Sequence, residues 1–436
     1  MARYLVAASP IPGHVAPMLT LAADLRRRGH QVRLLTGTRF RETAAAQGIP
    51  FVTLDAHTMV TPTGVPHRHL PGLLRRWRIG RTELREGFLA PIAGQFRALT
   101  AELNRAEYDA VLADVMFTGV IPLLLAEKPR PAVLACGVVP LMLSSADTAP
   151  FGMGWRPRPG RDYTRLNRFV EHVLFRGDQR RLDQILARLG LGPAPHYLLD
   201  WPRLADRLLQ FTIPGFEYPR GDLPGSVVFT GPLPDRGPAR AQSPRWWSDL
   251  PATKTVVHVT QGTWNNADFD QLIHPTLTAL SGRDDIAVVA CTGGSRTPLG
   301  AIPANAYISD FIPYGNLLPR VDVMITNGGY GGVQQALRHG VPLIVAGESA
   351  DKPEVAARVA YTGAGIDLGT ARPGPGAIAA ALDRVLGTAD YRSAAAGLAQ
   401  EIAKTAPFEV ISDVLADLEP KPARTAVPAS RNELSR

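Results

Sequence analysis

The sequence predicts an α/β protein built from two Rossmann-like domains that face each other across a cleft. Three observations predict this fold class. Short apolar segments alternate with amphipathic helical segments in both halves of the chain, a stretch rich in Pro, Gly, Ala and Arg separates the halves, and 436 residues exceed one ordinary domain. Because a strand, a helix and a second strand follow within about 35 residues, each sheet is expected to be parallel.

The N-terminal half, residues 1–232, is predicted to be one doubly wound domain. Its first strand is followed by a loop rich in proline and glycine and then by a helix at residues 15–28, which Gly29 ends. Strands are predicted at residues 3–8, 31–36, 109–113 and 132–136.

The C-terminal half repeats the alternation after a linker that is predicted at residues 233–245. Strands are predicted at residues 255–260, 286–291, 321–326 and 343–346, and helices at residues 269–280 and 333–338. This second domain is predicted to span residues 246–405. Residues 406–418 are predicted to form a helix that packs back on the N-terminal domain, and the polar residues 419–436 are predicted to be disordered.

The formal net charge of +8 raises nucleic acid as a partner, but the arginines are scattered and no nucleic-acid-binding motif accompanies them. Small anionic substrates are therefore favoured over nucleic acid. Arginines are concentrated in one segment, residues 67–88, where they alternate with leucines and Trp77. This segment is interpreted as a mobile helix on the substrate side, with peripheral contact to a membrane surface as the alternative.

The two cysteines, Cys136 and Cys291, form no C-x-x-C pair, and no cluster of His, Cys and Asp indicates a metal. The acidic pair Asp268 and Asp270 opens a predicted helix, where carboxylates complement the helix dipole, so a metal role is disfavoured. No signal peptide or long apolar span is found, and a cytoplasmic location is expected. Whether the protein is a monomer or a homodimer is left open.

A run of glycines lies between a predicted strand and a predicted helix at residues 327–332. Glycines let the backbone approach an anion closely, and the start of a helix offers unpaired N–H groups with partial positive charge. The run contains neither the Gly-Lys-Ser/Thr of a Walker A loop nor a G-x-G-x-x-G fingerprint. It therefore predicts a diphosphate site of another kind.

This segment resembles the donor-binding signature of the family 1 glycosyltransferases, the bacterial UDP-glycosyltransferase-like enzymes that include natural-product (macrolide-type) members. The matching residues are Gly328, Gly329, Tyr330, Gly331, the run from His339 to Pro342, and Asp351. The resemblance implies the GT-B fold and an inverting hexosyltransferase that needs no metal or other cofactor. It would move a sugar from a UDP or dTDP donor to a hydroxyl of a small lipophilic acceptor such as a polyketide, macrolide or phenol, as in antibiotic biosynthesis.

Four residues depart from the family pattern. Asn327 stands where a histidine contacts the diphosphate, and Gly332 stands for a serine. Gln335 replaces the ribose-binding glutamate, and Lys352 replaces the glutamine that holds sugar hydroxyls together with Asp351. The Asn327 amide can still donate to a phosphate, and Gln335 can bond a ribose hydroxyl without charge. The choice between uridine and deoxythymidine and the identity of the sugar are left open.

Two shorter segments complete the donor site that the resemblance implies. Gly262 and Thr263 follow the first strand of the second domain and match the turn whose hydroxyl bonds a phosphate. Phe311 and Ile312 match the stretch that binds the base, with Phe311 stacking on it, and Tyr314 stands for the usual glutamine.

In the N-terminal half, residues 11–17 resemble the family's Gly-His-x-x-Pro loop, which implies that His14 is the general base. The chemistry agrees, because imidazole titrates near neutral pH and a loop at the carboxyl end of a strand faces the cleft. In the family this base pairs with a carboxylate about one hundred residues on, which fixes its tautomer. Asp114 fits, and it is preferred to Asp109, which begins the same strand.

An acceptor pocket is predicted from the long segment 55–85 and the apolar segment 138–143. The predicted acceptor contacts are Pro12, Gly13, Trp77 and Phe117. Two alternatives remain: a nucleotide-sugar epimerase or hydrolase of the same architecture, which would need no acceptor pocket, and a non-catalytic nucleotide-sugar-binding protein, which the Asn327 departure allows.

Overall fold

A computed structural model describes residues 1–54, 72–234, 244–264 and 266–418, except for a few side chains at the start of the helix that begins at Gly72. In these residues each half of the chain forms a parallel sheet covered by helices, which confirms the predicted fold class. Parallel strands are buried on both faces, which explains why they read as continuous apolar runs.

The first domain contains a seven-stranded sheet within the described part of the chain, in the order β3-β2-β1-β4-β5-β6-β7. Its strands are β1 (Arg3–Ala7), β2 (Gln31–Gly37), β3 (Phe51–Leu54), β4 (Ala110–Asp114), β5 (Ala132–Gly137), β6 (Arg207–Gln210) and β7 (Val227–Phe229). Its helices are α1 (Pro12–Arg27), α2 (Arg41–Ala46), α3 (Gly72–Glu83), α4 (Ile92–Leu103), α5 (Ile121–Leu125), α6 (Thr164–Phe169) and α7 (Arg176–Arg188).

The second domain contains a six-stranded sheet, again counted over the described residues, in the order β10-β9-β8-β11-β12-β13. Its strands are β8 (Thr255–Thr260), β9 (Ile286–Cys291), β10 (Ala306–Ser309), β11 (Val323–Thr326), β12 (Leu343–Val345) and β13 (Gly365–Asp367). The helices are α8 (Ile273–Leu280), α9 (Tyr314–Leu317), α10 (Tyr330–Arg338), α11 (Lys352–Tyr361), α12 (Pro375–Gly387), α13 (Ala389–Ala403) and α14 (Pro407–Ala416).

Both sheets reverse their strand order at one point. In the first sheet the reversal lies between β1 and β4, and in the second it lies between β8 and β11. A crevice opens at the carboxyl ends of the strands at such a point, because the helices that follow the two strands lie on opposite faces of the sheet. The topology therefore provides one candidate ligand site in each domain.

Two predicted helices begin three residues too late, and a third predicted helix is interrupted. Helix α1 begins at Pro12 and not at residue 15, because proline suits the first turn of a helix, where its missing N–H is not needed. Helix α10 begins at Tyr330, so that Gly331 and Gly332 belong to its first turn. The helix predicted at residues 269–280 is interrupted at Leu272, whose φ of −145° separates a short 3₁₀ turn from α8.

Several segments connect the domains. The C-terminal helix α14 buries Ile411 and Leu415 in the core of the first domain, and Arg28, which follows α1, forms an ion pair with Glu409. Ile213 and Phe216, which follow β6, conversely pack in a core of the second domain. Residues 235–243 of the predicted linker and the predicted tail, 419–436, lie outside the described residues, and the domain boundaries remain predictions.

A buried ion cluster joins the domains beside α11. The Arg358 guanidinium donates to Glu217 at 2.7 Å and to Glu354 at 2.9 Å, and all three side chains are buried. Glu354 also accepts from the backbone N–H groups of Gly152 and Gly154 in the first domain. Removing one member would leave a buried charge unpaired, so this cluster constrains how α11 sits against the first domain.

Candidate active site

The crevice of the first domain holds His14 and Asp114. His14 Nδ1 lies 2.8 Å from Asp114 Oδ1, the Asp114 carboxylate is fully buried, and His14 is 7% exposed. The backbone N–H groups of Ser9 and Met116 also donate to this carboxylate. Because an ionised carboxylate can only accept, we infer that Nδ1 carries the imidazole proton and that Nε2 offers its lone pair.

The fold brings the pair together through neighbouring strands. Ala7 of β1 pairs with Ala113 of β4, so the residues that follow β1 lie beside Asp114, the last residue of β4. His14 lies in the first turn of α1, because this helix begins at Pro12, and not in the loop that the sequence predicted. Its position on a helix fixes the imidazole more firmly than a loop would.

The crevice of the second domain is lined mainly by backbone. Thr260 of β8 pairs with Thr326 of β11, which brings Gly262 beside Asn327. The Asn327 side-chain amide donates to the Gln261 carbonyl, and its Oδ1 accepts from the Gly329 N–H at 3.3 Å. Asn327 thus uses its side chain to hold the two turns together, and its predicted phosphate contact would require that arrangement to open.

The first turn of α10 presents the predicted anion-binding groups. Gly329 caps this helix, and Tyr330, Gly331 and Gly332 form its first turn, where backbone N–H groups have no partner within the helix. A Cβ atom on Gly331 would have no neighbour within 4 Å, so this turn faces open space. Gly328 has a φ of 84°, and a Cβ there would lie 2.7 Å from Val345, so only glycine fits the approach to the turn.

The residues predicted to bind the base follow β10. The Phe311 ring is 46% exposed and lies against Gly294, which leaves an aromatic face available for stacking. Ile312 is buried in the core, so only its backbone could contact a ligand. The Tyr314 ring packs edge-on against the buried His258 and lies near Gly332. Thr263, which was predicted to bond a phosphate, is exposed.

Asp351 and Lys352 form the start of α11 at the carboxyl edge of the second sheet. Burial raises the pKa of Asp351, and the nearby Lys352 ammonium opposes that rise, as would an imidazolium at His14. Asp351 of the second domain therefore lies within electrostatic range of His14 of the first. Gln335 is turned elsewhere, because its Nε2 donates to the Leu233 carbonyl at 2.9 Å, and its ribose contact remains a prediction.

The structure supports only part of the predicted acceptor site. Gly13 is exposed, Pro12 is half-buried, and a Cβ on Gly13 would meet nothing within 4 Å, so space exists above this turn. Trp77 is half-buried beneath the Arg81 guanidinium, and its indole N–H has no partner within the described residues. Phe117 is completely buried in the first core and does not line the cleft.

The other predicted acceptor segments are only partly described. Val138, Val139, Leu141, Met142 and Leu143 are all buried in the first core, so they do not line an open pocket. Residues 55–71 lie outside the described residues.

The described part of segment 67–88 is not a free basic surface. Helix α3 continues into a π-helical turn, Leu84–Leu89, and both Arg81 and Arg85 donate to the buried Asp178. These two arginines therefore face the body of the protein, and the predicted membrane contact gains no support from them. Among the residues that the structure describes, no helix is long and apolar enough to cross a membrane, and no group of three or more His, Cys, Asp or Glu could hold a metal.

Two residues at the cleft were not identified from the sequence. Arg39, which follows β2, donates to the Pro10 carbonyl, and its guanidinium lies 5.0 Å from the ring centre of Trp264 in the second domain. Glu83 ends α3 and accepts a bond from Ala350 of the second domain at 2.9 Å. Neither residue belongs to a local motif, and only the juxtaposition of the domains identifies them.

Comparisons with known proteins agree with this architecture. The chain matches the family model "Glycosyltransferase family 28 N-terminal domain" over residues 12–107 and the model "Erythromycin biosynthesis protein CIII-like, C-terminal domain" over residues 274–417. It is 38% identical over 412 residues to 4'-demethylrebeccamycin synthase of Lentzea aerocolonigenes, which covers 92% of this chain and 96% of that relative. It is 32% identical over 431 residues to UDP-glucosyltransferase B1 of Starmerella bombicola, covering 94% and 97%.

Solved structures show the same fold at lower identity. The glycosyltransferase of kitacinnamycin superposes with a TM-score of 0.71 at 20% identity, covering 95% of this chain and 98% of that one. The calicheamicin glycosyltransferase CalG4 gives a TM-score of 0.70 at 21% identity, again covering 95% and 98%. The fold and the relatives define a two-domain sugar-transferring enzyme. The chain belongs to the natural-product glycosyltransferases of the GT-B type and is a hexosyltransferase.

Proposed function

We propose that this enzyme moves a sugar, with inversion, from a UDP or dTDP sugar to a hydroxyl of a small lipophilic acceptor, and that His14 is the general base. The observation that carries the proposal is the buried His14–Asp114 pair, held at 2.8 Å in the crevice of the first domain, with Asp351 of the second domain in electrostatic range. Membership of the family favours this transferase over the epimerase, hydrolase and binding-protein alternatives.

The reaction follows from the inferred tautomer. The acceptor O–H gives its proton to His14 Nε2 as its oxygen forms a bond to the anomeric carbon, and the bond from that carbon to the diphosphate oxygen breaks with its electron pair. Attack from the face opposite the leaving group inverts the configuration. Asp114 stabilises the imidazolium that forms, because its carboxylate already accepts the Nδ1 proton.

The second domain would hold the donor. The N–H groups at the start of α10 and the turn at Gly262 are suited to the diphosphate, and the exposed Phe311 ring is suited to the base. These fixed dipoles would stabilise the negative charge that develops on the leaving group, so the proposal includes turnover without a divalent metal. Asp351 and Lys352 would contact the sugar.

The proposed substrates draw on the relatives as well as on the site. One relative is named for rebeccamycin synthesis, another is named a UDP-glucosyltransferase, and one structural neighbour is named for calicheamicin. An apolar acceptor is consistent with the half-buried Trp77 and with the open space above Gly13. An exposed hydroxyl of such an acceptor would reach His14 from the first domain's side of the cleft.

The experiment is product analysis with purified enzyme. UDP-glucose and dTDP-glucose are each incubated with a panel of phenolic and polyketide acceptors, with and without EDTA, and the products are analysed by mass spectrometry and by the coupling of the anomeric proton. We expect an acceptor that gains one hexosyl unit in the inverted configuration, in EDTA as without it. Release of free sugar or of an epimerised donor without an acceptor would contradict the proposal, and a requirement for added Mn²⁺ would contradict its metal-independent part.

A further inference from the structure

The loop between β12 and α11 has an unusual backbone conformation next to Asp351. Ala350 has a φ of 53°, and within the described residues no other non-glycine residue has a positive φ. A residue with a Cβ atom adopts this left-handed region at a cost in free energy, because Cβ approaches the following carbonyl oxygen. Such a conformation persists only where surrounding contacts hold it.

The contact that holds it comes from the other domain. The Ala350 N–H donates to Glu83 Oε1 at 2.9 Å, although the two residues are 267 positions apart. Burial raises the pKa of the Glu83 carboxyl, and the bond from the Ala350 N–H and the charge of Lys352 oppose that rise. One carboxylate of the first domain therefore binds the backbone immediately before the proposed sugar ligands.

Glu83 is itself well anchored. Arg81, two positions before it, donates to Asp178 at 2.9 Å, and Arg85, two positions after it, donates to the same buried carboxylate. Both contacts fix the end of α3 against α7, so the Glu83 side chain extends from a fixed backbone. Trp77, a predicted acceptor contact, lies on the same helix.

We propose that Glu83 is a positioning residue that holds the 346–351 loop through Ala350 and thereby sets the Asp351 carboxylate for the donor sugar. The inference rests on the proposed function, in which Asp351 contacts that sugar. Because α3 belongs to the acceptor side, the bond also links the acceptor-binding domain to the donor-sugar loop. Glu83 does not touch the reacting atoms, and its effect passes through Ala350.

Four variants test the inference: Glu83→Ala, Glu83→Gln, Ala350→Gly and the double variant Glu83→Ala/Ala350→Gly. Glu86→Ala is the matched control, because Glu86 is an exposed glutamate one turn further along. Calorimetry measures the Kd of UDP-glucose or dTDP-glucose, whichever the enzyme uses, and of the corresponding bare nucleotide diphosphate. Amide hydrogen exchange measures the opening of residues 346–352 without ligand.

We expect Glu83→Ala to speed exchange in this loop and to raise the Kd of the nucleotide sugar about tenfold, the effect of losing a hydrogen bond to a charged group. The bare diphosphate should bind as before. Glu83→Gln should lose less affinity than Glu83→Ala, because its amide oxygen still accepts the bond, although without charge. Ala350→Gly should recover part of the loss in the double variant, since glycine adopts this φ without support. A merely structural role of Glu83 would not produce that rescue.

Unchanged exchange in Glu83→Ala would overturn the inference, and so would faster exchange with unaltered sugar affinity. Asp351→Ala, measured in the same assay, separates this failure from that of the proposed function. If Asp351→Ala weakens sugar binding and Glu83→Ala does not, only the positioning role is wrong. If neither changes sugar affinity, Asp351 is not at the sugar and both statements are wrong.

Discussion

The two crevices of this enzyme are built in opposite ways. The crevice between β1 and β4 holds two side chains, His14 and Asp114, which are buried and whose carboxylate accepts three N–H groups. The crevice between β8 and β11 offers backbone and glycine, and its polar side chain Asn327 is occupied by its own turns. This difference fits the proposed roles, because the transfer of one proton needs a fixed side chain, whereas a diphosphate can be held by backbone amides.

Replacing His14 tests the first crevice most severely. We expect His14→Ala to lower kcat on an alcohol acceptor by about two to four orders of magnitude, the usual contribution of a general base. The Kd of the donor, measured by calorimetry, should barely change, because the proposed donor site lies in the other domain. His172→Ala, at an exposed histidine, is the control and should turn over normally. A large loss of donor affinity in His14→Ala would contradict the proposal that the first domain takes the proton and the second domain binds the donor.

The next largest effect is expected for Asp114→Asn. Its amide nitrogen must face at least one of the three N–H groups that the carboxylate now accepts, and a neutral amide stabilises the imidazolium less than the carboxylate does. We expect kcat to fall by about one to three orders of magnitude, less than for His14→Ala. The double variant should be no slower than His14→Ala, because the pair acts as one unit. Additive losses in steady-state kinetics would show that Asp114 acts independently of His14.

The second crevice should respond in binding rather than in turnover. Asp351→Ala should weaken the nucleotide sugar by about tenfold, since a carboxylate forms charge-assisted bonds to sugar hydroxyls, and should leave the bare nucleotide diphosphate nearly unaffected. Isothermal calorimetry with both ligands measures the contrast, and Asp367→Ala serves as the control, because Asp367 is an exposed aspartate at the end of β13. An equal loss for both ligands would place Asp351 at the diphosphate instead.

A smaller effect is expected where the crevices meet. The Arg39 guanidinium stacks on Trp264 across the cleft, and an exposed cation–π contact contributes about 0.5–1 kcal/mol. Arg39→Ala should therefore lower kcat/KM by about two- to fivefold. Arg41→Ala is the matched control, because Arg41 stacks on Phe51 within the first domain. If the two variants are equally active, the Arg39–Trp264 contact has no part in catalysis.

The smallest of the expected effects is a difference in stability between wild type and an Asp351 variant, which should depend on pH. Burial raises the pKa of Asp351, so the folded enzyme favours the protonated carboxyl and loses stability as pH rises from the ordinary aspartate range through the raised value. Asp351→Asn removes this penalty and should have a higher Tm than the wild type at pH 7. The difference in Tm should shrink as the pH is lowered through that window. A lower Tm for Asp351→Asn at pH 7 would show that the ionised carboxylate is stabilising.

The sequence predicted the central strands of both sheets because buried parallel strands are unbroken apolar runs. It missed five strands, β3, β6, β7, β10 and β13, which have three or four residues each and too few positions to show a pattern. It placed His14 in a loop because proline and glycine usually mark turns, whereas Pro12 here begins a helix. Such errors arise where one residue type serves two structural purposes.

The sequence predicted the parts of the site that lie in a local motif, namely the glycine-rich turn and the histidine near the first strand. Contacts between the domains leave no motif in the sequence. Glu83 and Ala350 lie in segments that share no pattern, and so do Arg39 and Trp264. Phe117 was predicted to face the acceptor, but the chain turns it into the core, a path that its apolar character alone does not fix. Side-chain direction after a strand depends on packing, which a single sequence does not show.

The dependence of the rate on the acidity of the acceptor tests the role of His14 most directly. Wild type and His14→Ala are compared by kcat over a series that runs from alcohols to acidic phenols, at saturating donor. If His14 takes the acceptor proton, its removal should slow alcohols by about two to four orders of magnitude and the most acidic phenols far less, because they need little help to ionise. A loss of equal size for every acceptor would contradict the central claim that His14 is the general base.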